Sequence, residues 1–324
     1  MTSLNTTQPQ VSEEIQNSEE VKRIVFCNIK STRRLSKEFK YNGKLTKHKS
    51  IPMTEGTFNV YSVKSISEFS NYIQTLAQDE ALCYGRPASN DGTILSKKLK
   101  KERGVQQAIT RSDDYFDWSP VPSIFFGDYD PVEGTDVLIS NQLLNKIYEV
   151  VPELKTAPVM LGDSASSHVY HKQTGDELIG SGGVRIYFVV ADGRDIPRFG
   201  KILADRLWLA GHGHYVCSKA GVLLEKTLLD TSVWQPSRLD FAAGAYIDED
   251  QVIEQRRPTP QLCNVDNAPF ITSNIPELTE KEEISLASIK TRKRALIEPK
   301  QVLVREKWIR QLEINNPPII LLED

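Results

Sequence analysis

The chain has no apolar run approaching the 18 or more residues that a membrane-spanning helix requires, so no membrane association is expected. Its first residues carry neither a basic n-region nor an apolar h-region, which argues against secretion and makes the cytoplasm the expected compartment. Cysteine is sparse. Cys27, Cys83, Cys217 and Cys263 are widely scattered, no Cys-x-x-Cys occurs, and no histidine stands at zinc-finger spacing, so buried free thiols are expected. An excess of one charge is also lacking: 40 basic against 43 acidic residues leave a net charge of −3, and nothing global advertises nucleic-acid binding. Large apolar residues are almost missing from residues 1–20, a Ser-, Thr-, Asn-, Gln- and Glu-rich tail expected to stay disordered. Neither an internal repeat nor a low-complexity tract is evident.

What remains is a chain of 324 residues, 39% hydrophobic and 26% charged, with room for one large domain or two ordinary ones. Residues 21–27, 58–63 and 81–84 read as short strands and 67–78 as an amphipathic helix, an α/β layer at the N-terminal end. Leu138, Ile139, Leu143, Leu144, Ile147 and Val151 recur at helical spacing. Residues 184–190 form a strong strand pattern between Gly182-Gly183 and Asp192-Gly193. A second helix starts at Pro197, turns Phe199, Ile202, Leu203 and Leu207 inward and ends at Gly211, and 222–230 and 238–246 read as further strands.

Hairpin-like turns join the strands as often as helices do, which predicts an α+β fold with a mixed or antiparallel sheet and helices on one side. The main domain is expected over 21–255. Pro258, Pro260 and Pro269 mark a linker at 256–278, and the charged, helix-favouring segment 279–324 is expected to dock as a helical appendage. The apolar run 319–322 would be odd if exposed at a natural terminus, which suggests part of a longer polypeptide.

The most informative motif is Ile124-Phe125-Phe126-Gly127-Asp128-Tyr129-Asp130. Side chains at i and i+2 of a strand share a face, with Cα atoms roughly 6.6 Å apart. Asp128 and Asp130 therefore form a carboxylate pair able to hold hard divalent cations, and two such ions about 3.5–4 Å apart serve phosphoryl transfer. The plainer reading is a strand running into an acidic turn, Asp-Tyr-Asp-Pro. Just upstream, Lys97, Lys98, Lys100, Lys101, Arg103 and Arg111 crowd together as a phosphate track or a solvated helix face.

Downstream, Ser166-Ser167-His168 offers a hydroxyl and an imidazole to a triphosphate. Asp230 ends the apolar stretch Leu228-Leu229, and Arg238 is suited to bidentate phosphate binding. Asp240 competes with Asp230 as third carboxylate, with Asp230 ranked first.

In this order the motifs resemble the catalytic core of the archaeo-eukaryotic primase-polymerase superfamily: an apolar strand ending in Asp-x-Asp, a Ser-x-His, and an apolar-Asp followed by an Arg-Leu segment. The match covers about a third of the chain. It implies an RRM-like catalytic unit and a nucleotidyltransferase that builds or extends primers on single-stranded DNA from nucleoside triphosphates, using Mg²⁺ or Mn²⁺. The resemblance assigns the ions to Asp128, Asp130 and Asp230, and the triphosphate to Ser166, His168 and Arg238. Some relatives carry the histidine on the strand after a Gly-rich turn, where this chain has Arg185, so either His168 is the triphosphate ligand, the preferred choice with Arg185 nearby, or Arg185 takes over that role. Template phosphates fall to the basic cluster. A replication role in a mobile element, with a helicase domain or partner, is a further implication.

Two rivals stand beside this reading. Gly211-His212-Gly213-His214-Tyr215 superficially resembles the His-x-His pair of rolling-circle nucleases, though a bulky apolar residue on a strand is usual between the histidines. The other rival is a single-strand-binding module without catalysis.

Overall fold

The computed structural model describes residues 23–131 and 137–315, so the 1–20 tail and the 319–322 run lie outside the described residues. The chain forms two compact units, one from residues up to 199 and 232–275, the other from 200–231 and 276 onward. Along the first come β1 (Ile24–Ser31), β2 (Glu38–Tyr41), β3 (Leu45–His48), β4 (Glu55–Val63), α1 (Ile66–Gln74), β5 (Glu80–Cys83), β6 (Arg86–Pro87), β7 (Asp91–Leu95) and α2 (Lys97–Arg103). There follow β8 (Phe116–Asp117), β9 (Ser123–Tyr129), α3 (Ser140–Val150), β10 (Val159–Asp163), β11 (Val169–His171), β12 (Glu177–Ile179) and β13 (Val184–Val190). Helix α4 (Ile196–Leu209) leads into the second unit with β14 (His214–Cys217) and β15 (Leu223–Lys226); β16 (Ile253–Gln255) and β17 (Gln261–Cys263) return to the first, and α5 (Glu280–Asn315) belongs to the second.

Two four-stranded sheets, β5-β1-β4-β7 and β17-β10-β13-β9, dominate the first unit, with a three-stranded sheet β12-β11-β16 and the hairpin β2-β3 beside them. Every pairing between these strands is antiparallel and none closes a barrel, so the fold is α+β with several small antiparallel sheets. Strand β13, Val-Arg-Ile-Tyr-Phe-Val-Val, is buried along its whole length because it lies between β10 and β9 and is rich in β-branched and aromatic residues. Its Tyr187 stacks on Phe126 of β9 with ring centroids 5.1 Å apart and meets Phe69 of α1 edge-on at 5.6 Å. Helix α1 starts where Ser65 caps the Glu68 N–H and buries Ile66, Phe69 and Ile73. One aromatic core thus joins both sheets under the end of β9.

Three expectations change. Residues 238–246 do not form a strand; they make an antiparallel bridge Leu82↔Asp240 and a parallel bridge Glu38↔Tyr246. The segment touches two different partners in passing, so no ladder develops. The strand expected at 222–230 stops at Lys226, where Thr227 Oγ1 bonds the Leu229 N–H and C=O and draws the backbone into a turn. The expected linker at 256–278 belongs to the first unit as far as Ile275: β17 pairs with β10, and Phe270 bridges Val190. Pro258 and Pro260 precede an edge strand, the place in a sheet where proline is tolerated.

In the second unit the buried Trp208 ring meets Tyr215 at 5.3 Å, and the Lys290 and Lys293 ammonium groups lie 5.4 and 5.5 Å from its centroid. Lys290 also pairs with Glu225 at 2.9 Å. The helical segment expected as an appendage therefore packs with residues 200–231 as one body. Among the described residues no helix is long and apolar enough to cross a membrane.

Candidate active site

Strand β9 delivers the acidic pair. Tyr129 is buried, while Asp128 is partly exposed and Asp130, the first residue past the strand, is exposed, as alternation along an extended chain requires. Asp128 stands directly opposite Arg185 in the β9–β13 register, and the Arg185 Nε lies 4.0 Å from its Oδ1. The other side of the guanidinium faces Asp240, with Nη1 3.4 Å from Oδ1. Arg185 is only 8% exposed and Asp240 2%.

The Tyr84 and Tyr187 hydroxyls both donate to Asp240 Oδ2, at 2.7 and 3.0 Å. Arg185 Nε and Nη1 and Asp240 Oδ1 are buried without hydrogen-bond geometry, so the guanidinium is held by charge at the floor of the site. Burial works against that charge, but Asp240 first, then Tyr187, Asp128 and Tyr84, keep the Arg185 pKa above the ordinary arginine value. Burial, then Asp240, pushes both tyrosines well above their usual range. The cluster is an Asp–Arg–Asp row whose guanidinium stays charged across the working pH range.

Asp130 reaches the serine turn because Gly183 has no side chain. A Cβ there would stand 2.7 Å from the Tyr129 carbonyl oxygen, 3.1 Å from Asp130 Oδ1 and 3.3 Å from Ser164 Cβ. Ser164 N–H donates to the Gly183 carbonyl, Ser164 and Ser166 Oγ lie 3.3 Å apart, and Gln255 donates to the Ala165 and Ser167 carbonyls. Ser166 Oγ accepts a bond from Lys47 of β3 at 3.1 Å. Burial and the Lys37 ammonium lower the Lys47 pKa, while Asp130 acts in the opposite direction.

His168 adopts φ +59°, in the left-handed region, and its ring is taken on both sides: Nε2 lies 3.0 Å from Asp163 and Nδ1 3.2 Å from Glu177. Arg238 is exposed at the turn whose Ser237 carbonyl accepts from Arg111. Asp230 belongs to the second unit and pairs with Lys226 at 3.2 Å. Of the basic cluster, Arg103 makes a two-pronged contact with Glu55, and Lys100 bonds the Tyr115 hydroxyl. Lys97, Lys98 and Lys101 project from the exposed face of α2, the first two in long ion pairs of 3.9 and 3.8 Å.

The structure thus joins Asp128, Arg185 and Asp240, and sets Asp130 beside the turn bearing Ser164 and Ser166. It directs the His168 imidazole to two carboxylates. Asp240, ranked second in the sequence, is the acid that meets Arg185. Lys37, Lys47, Tyr84 and Tyr187 were not singled out, although Asn42-Gly43 between β2 and β3 is a hairpin signal that leads to the two lysines.

The histidine pair of the nuclease rival sits in the second unit. His214 opens β14, and Gly213 lies flat against Trp208, where a Cβ would come within 1.9 Å of the indole. The bulky residue of that motif has no space here.

No protein-family model matches the chain, and no curated protein or solved structure gives a match.

Proposed function

We propose that the chain is a template-directed nucleotidyltransferase of the primase-polymerase type, joining nucleoside triphosphates to a primer 3′-hydroxyl on single-stranded DNA. The observation that carries it is the strand-end pair Asp128 and Asp130 set across a two-strand register from a buried, permanently charged arginine. The β17-β10-β13-β9 sheet would be the RRM-like catalytic sheet.

Among the described residues no group of three or more His, Cys, Asp or Glu forms a metal cage. Two neighbouring carboxylates nonetheless suit Mg²⁺ or Mn²⁺, since Mg²⁺ keeps several waters and takes one or two carboxylates together with substrate phosphates. Asp128 and Asp130 would hold the ions, which supply a more acidic primer hydroxyl and neutralise the leaving pyrophosphate. Arg185 then faces the charge that develops on the transferred phosphoryl group, and Asp240, through its hold on Arg185, is a positioning residue. Ser166 is placed to donate to a phosphate oxygen. The exposed lysines of α2, with Arg111 and Arg238, offer contacts to template phosphates. A helicase partner remains part of the proposal on the motif resemblance alone.

Priming and extension on single-stranded DNA, with ribo- or deoxynucleotides and either metal, test the reading. Incorporation should vanish in Asp128→Ala and Asp130→Ala while circular dichroism stays native. Synthesis persisting in the double variant would remove the assignment, and oligonucleotide binding without any incorporation would favour a non-catalytic module.

A further inference from the structure

The β2–β3 hairpin presents Lys47 to the serine turn, with Lys37 close beside it. Phe39 and Lys47 are direct cross-strand partners, so their side chains share a face, and Lys37, whose carbonyl accepts from the Tyr246 N–H, immediately precedes β2. Phe39 is fully buried with Val169, Ala245 and Ile253. Glu38 bridges Tyr246, and the Tyr41 N–H bonds Gln251 Oε1 at 2.8 Å, so the hairpin is fastened in place.

Lys47 extends across the Phe39 ring, 6.0 Å from its centroid, to Ser166 Oγ. Lys37 is close enough to disfavour its charge. Two ammonium groups this close repel each other, and such a pair is favourable only when an anion sits against it. Asp130 is the acid that acts on Lys47, and it is the residue assigned above to a divalent ion. With that carboxylate engaged, the lysines need another negative partner, located where Ser166 is also within reach.

We infer that Lys37 and Lys47 form a clamp for the terminal phosphates of the nucleoside triphosphate, with Ser166 between them and the Asp128/Asp130 pair. The inference rests on the proposed nucleotidyl transfer for the identity of the anion, but the clamp is tested separately. Lys40 serves as control, since it lies half-exposed on the opposite face and pairs with Glu38 at 3.2 Å.

Calorimetric titration of the full chain with inorganic tripolyphosphate reads the clamp directly. Lys37→Ala/Lys47→Ala should weaken binding by about tenfold or more, while Lys40→Ala binds as the parent and Lys47→Arg keeps most of the affinity. The melting temperature of the double variant should not fall, because a repulsive pair has been removed. In an active chain the double variant should raise KM for nucleotide with kcat nearly unchanged.

Tripolyphosphate affinity unaltered in the double variant, or absent from the parent chain, overturns the clamp. So does a loss confined to single-stranded oligonucleotide, which would assign the lysines to template. Lysine-dependent tripolyphosphate binding in a chain that never incorporates nucleotide upholds the clamp and sinks nucleotidyl transfer instead.

Discussion

Replacing Asp240 by alanine removes one side of the buried Asp128–Arg185–Asp240 row and isolates its cause from catalysis. Arg185 is 8% exposed, its Nη1 is 3.4 Å from Asp240, and the other carboxylate, Asp128, is 4.0 Å away and partly solvated. Deleting one partner of a buried ion pair costs about 3–5 kcal/mol, because the remaining charge loses compensation without regaining water. The Tyr84 and Tyr187 hydroxyls also lose their acceptor, so the upper end of that range applies.

At about 2–4 °C per kcal/mol for a body of this size, the melting point should fall by roughly 10–20 °C. Asp240→Asn keeps an oxygen for the hydroxyls and should lose about half as much. Arg185→Met combined with Asp240→Ala should cost less than the two single changes added together, since no buried charge is then left alone. Tryptophan fluorescence in a Trp208→Phe, Trp308→Phe background reads the first unit through Trp118 and Trp234. A melting point for Asp240→Ala within about 2 °C of the parent, or strict additivity in the cycle, would refute the row as described.

Acid stability should depend on Asp195. Burial raises its pKa, but the Arg198 and Thr272 hydrogen bonds and the Arg198 charge outweigh burial and hold the carboxyl below its usual value. Its folded pKa is depressed, so the stability it contributes is present above the unfolded value of about 3.9 and disappears as pH falls below that through the folded value. Asp195→Asn should flatten this limb of a pH series of melts; an unchanged limb refutes it. Gly213→Ala puts a methyl group inside the Trp208 indole and should destabilise the second unit by about 1–3 kcal/mol or more, read by Trp208 fluorescence, and a native melt would refute the contact. Under the polymerase reading, Lys98→Ala and Lys101→Ala should each lower the salt slope of oligonucleotide binding by about one unit. Arg103→Ala, whose guanidinium is taken by Glu55, should leave that slope alone.

Much of the scaffold was legible because it rests on local pattern. The β-branched run of β13 lies where the sequence reads it, and the helices that become α1, α3 and α4 differ only at their ends. The strand-end position of Asp128 was legible for the same reason, but its register opposite Arg185 joins strands far apart in the chain. The meeting of Asp240 with Arg185 was not legible because it depends on residues far away in the chain: Leu82 pairs with its backbone, and Tyr84, 156 positions earlier, binds its carboxylate. Asp230 looked better by the local rule that an aspartate after Leu-Leu ends a strand, but Thr227 had already turned the backbone out of that strand. His168 could not be oriented from sequence, since Asp163 and Glu177 claim its ring from two separate strands.

Because β13 is flanked by a strand on each side and buried along its length, its arginine is held in a close-packed surround. Under the polymerase reading, adjustment during the reaction falls to the parts at the rim: the serine turn and the flexible stem of Lys47 that meets it. On that reading the fold separates a stationary reference point from side chains able to follow the substrate, and rate-altering substitutions should collect at those side chains, whereas substitutions in β13 should show first as loss of folded protein.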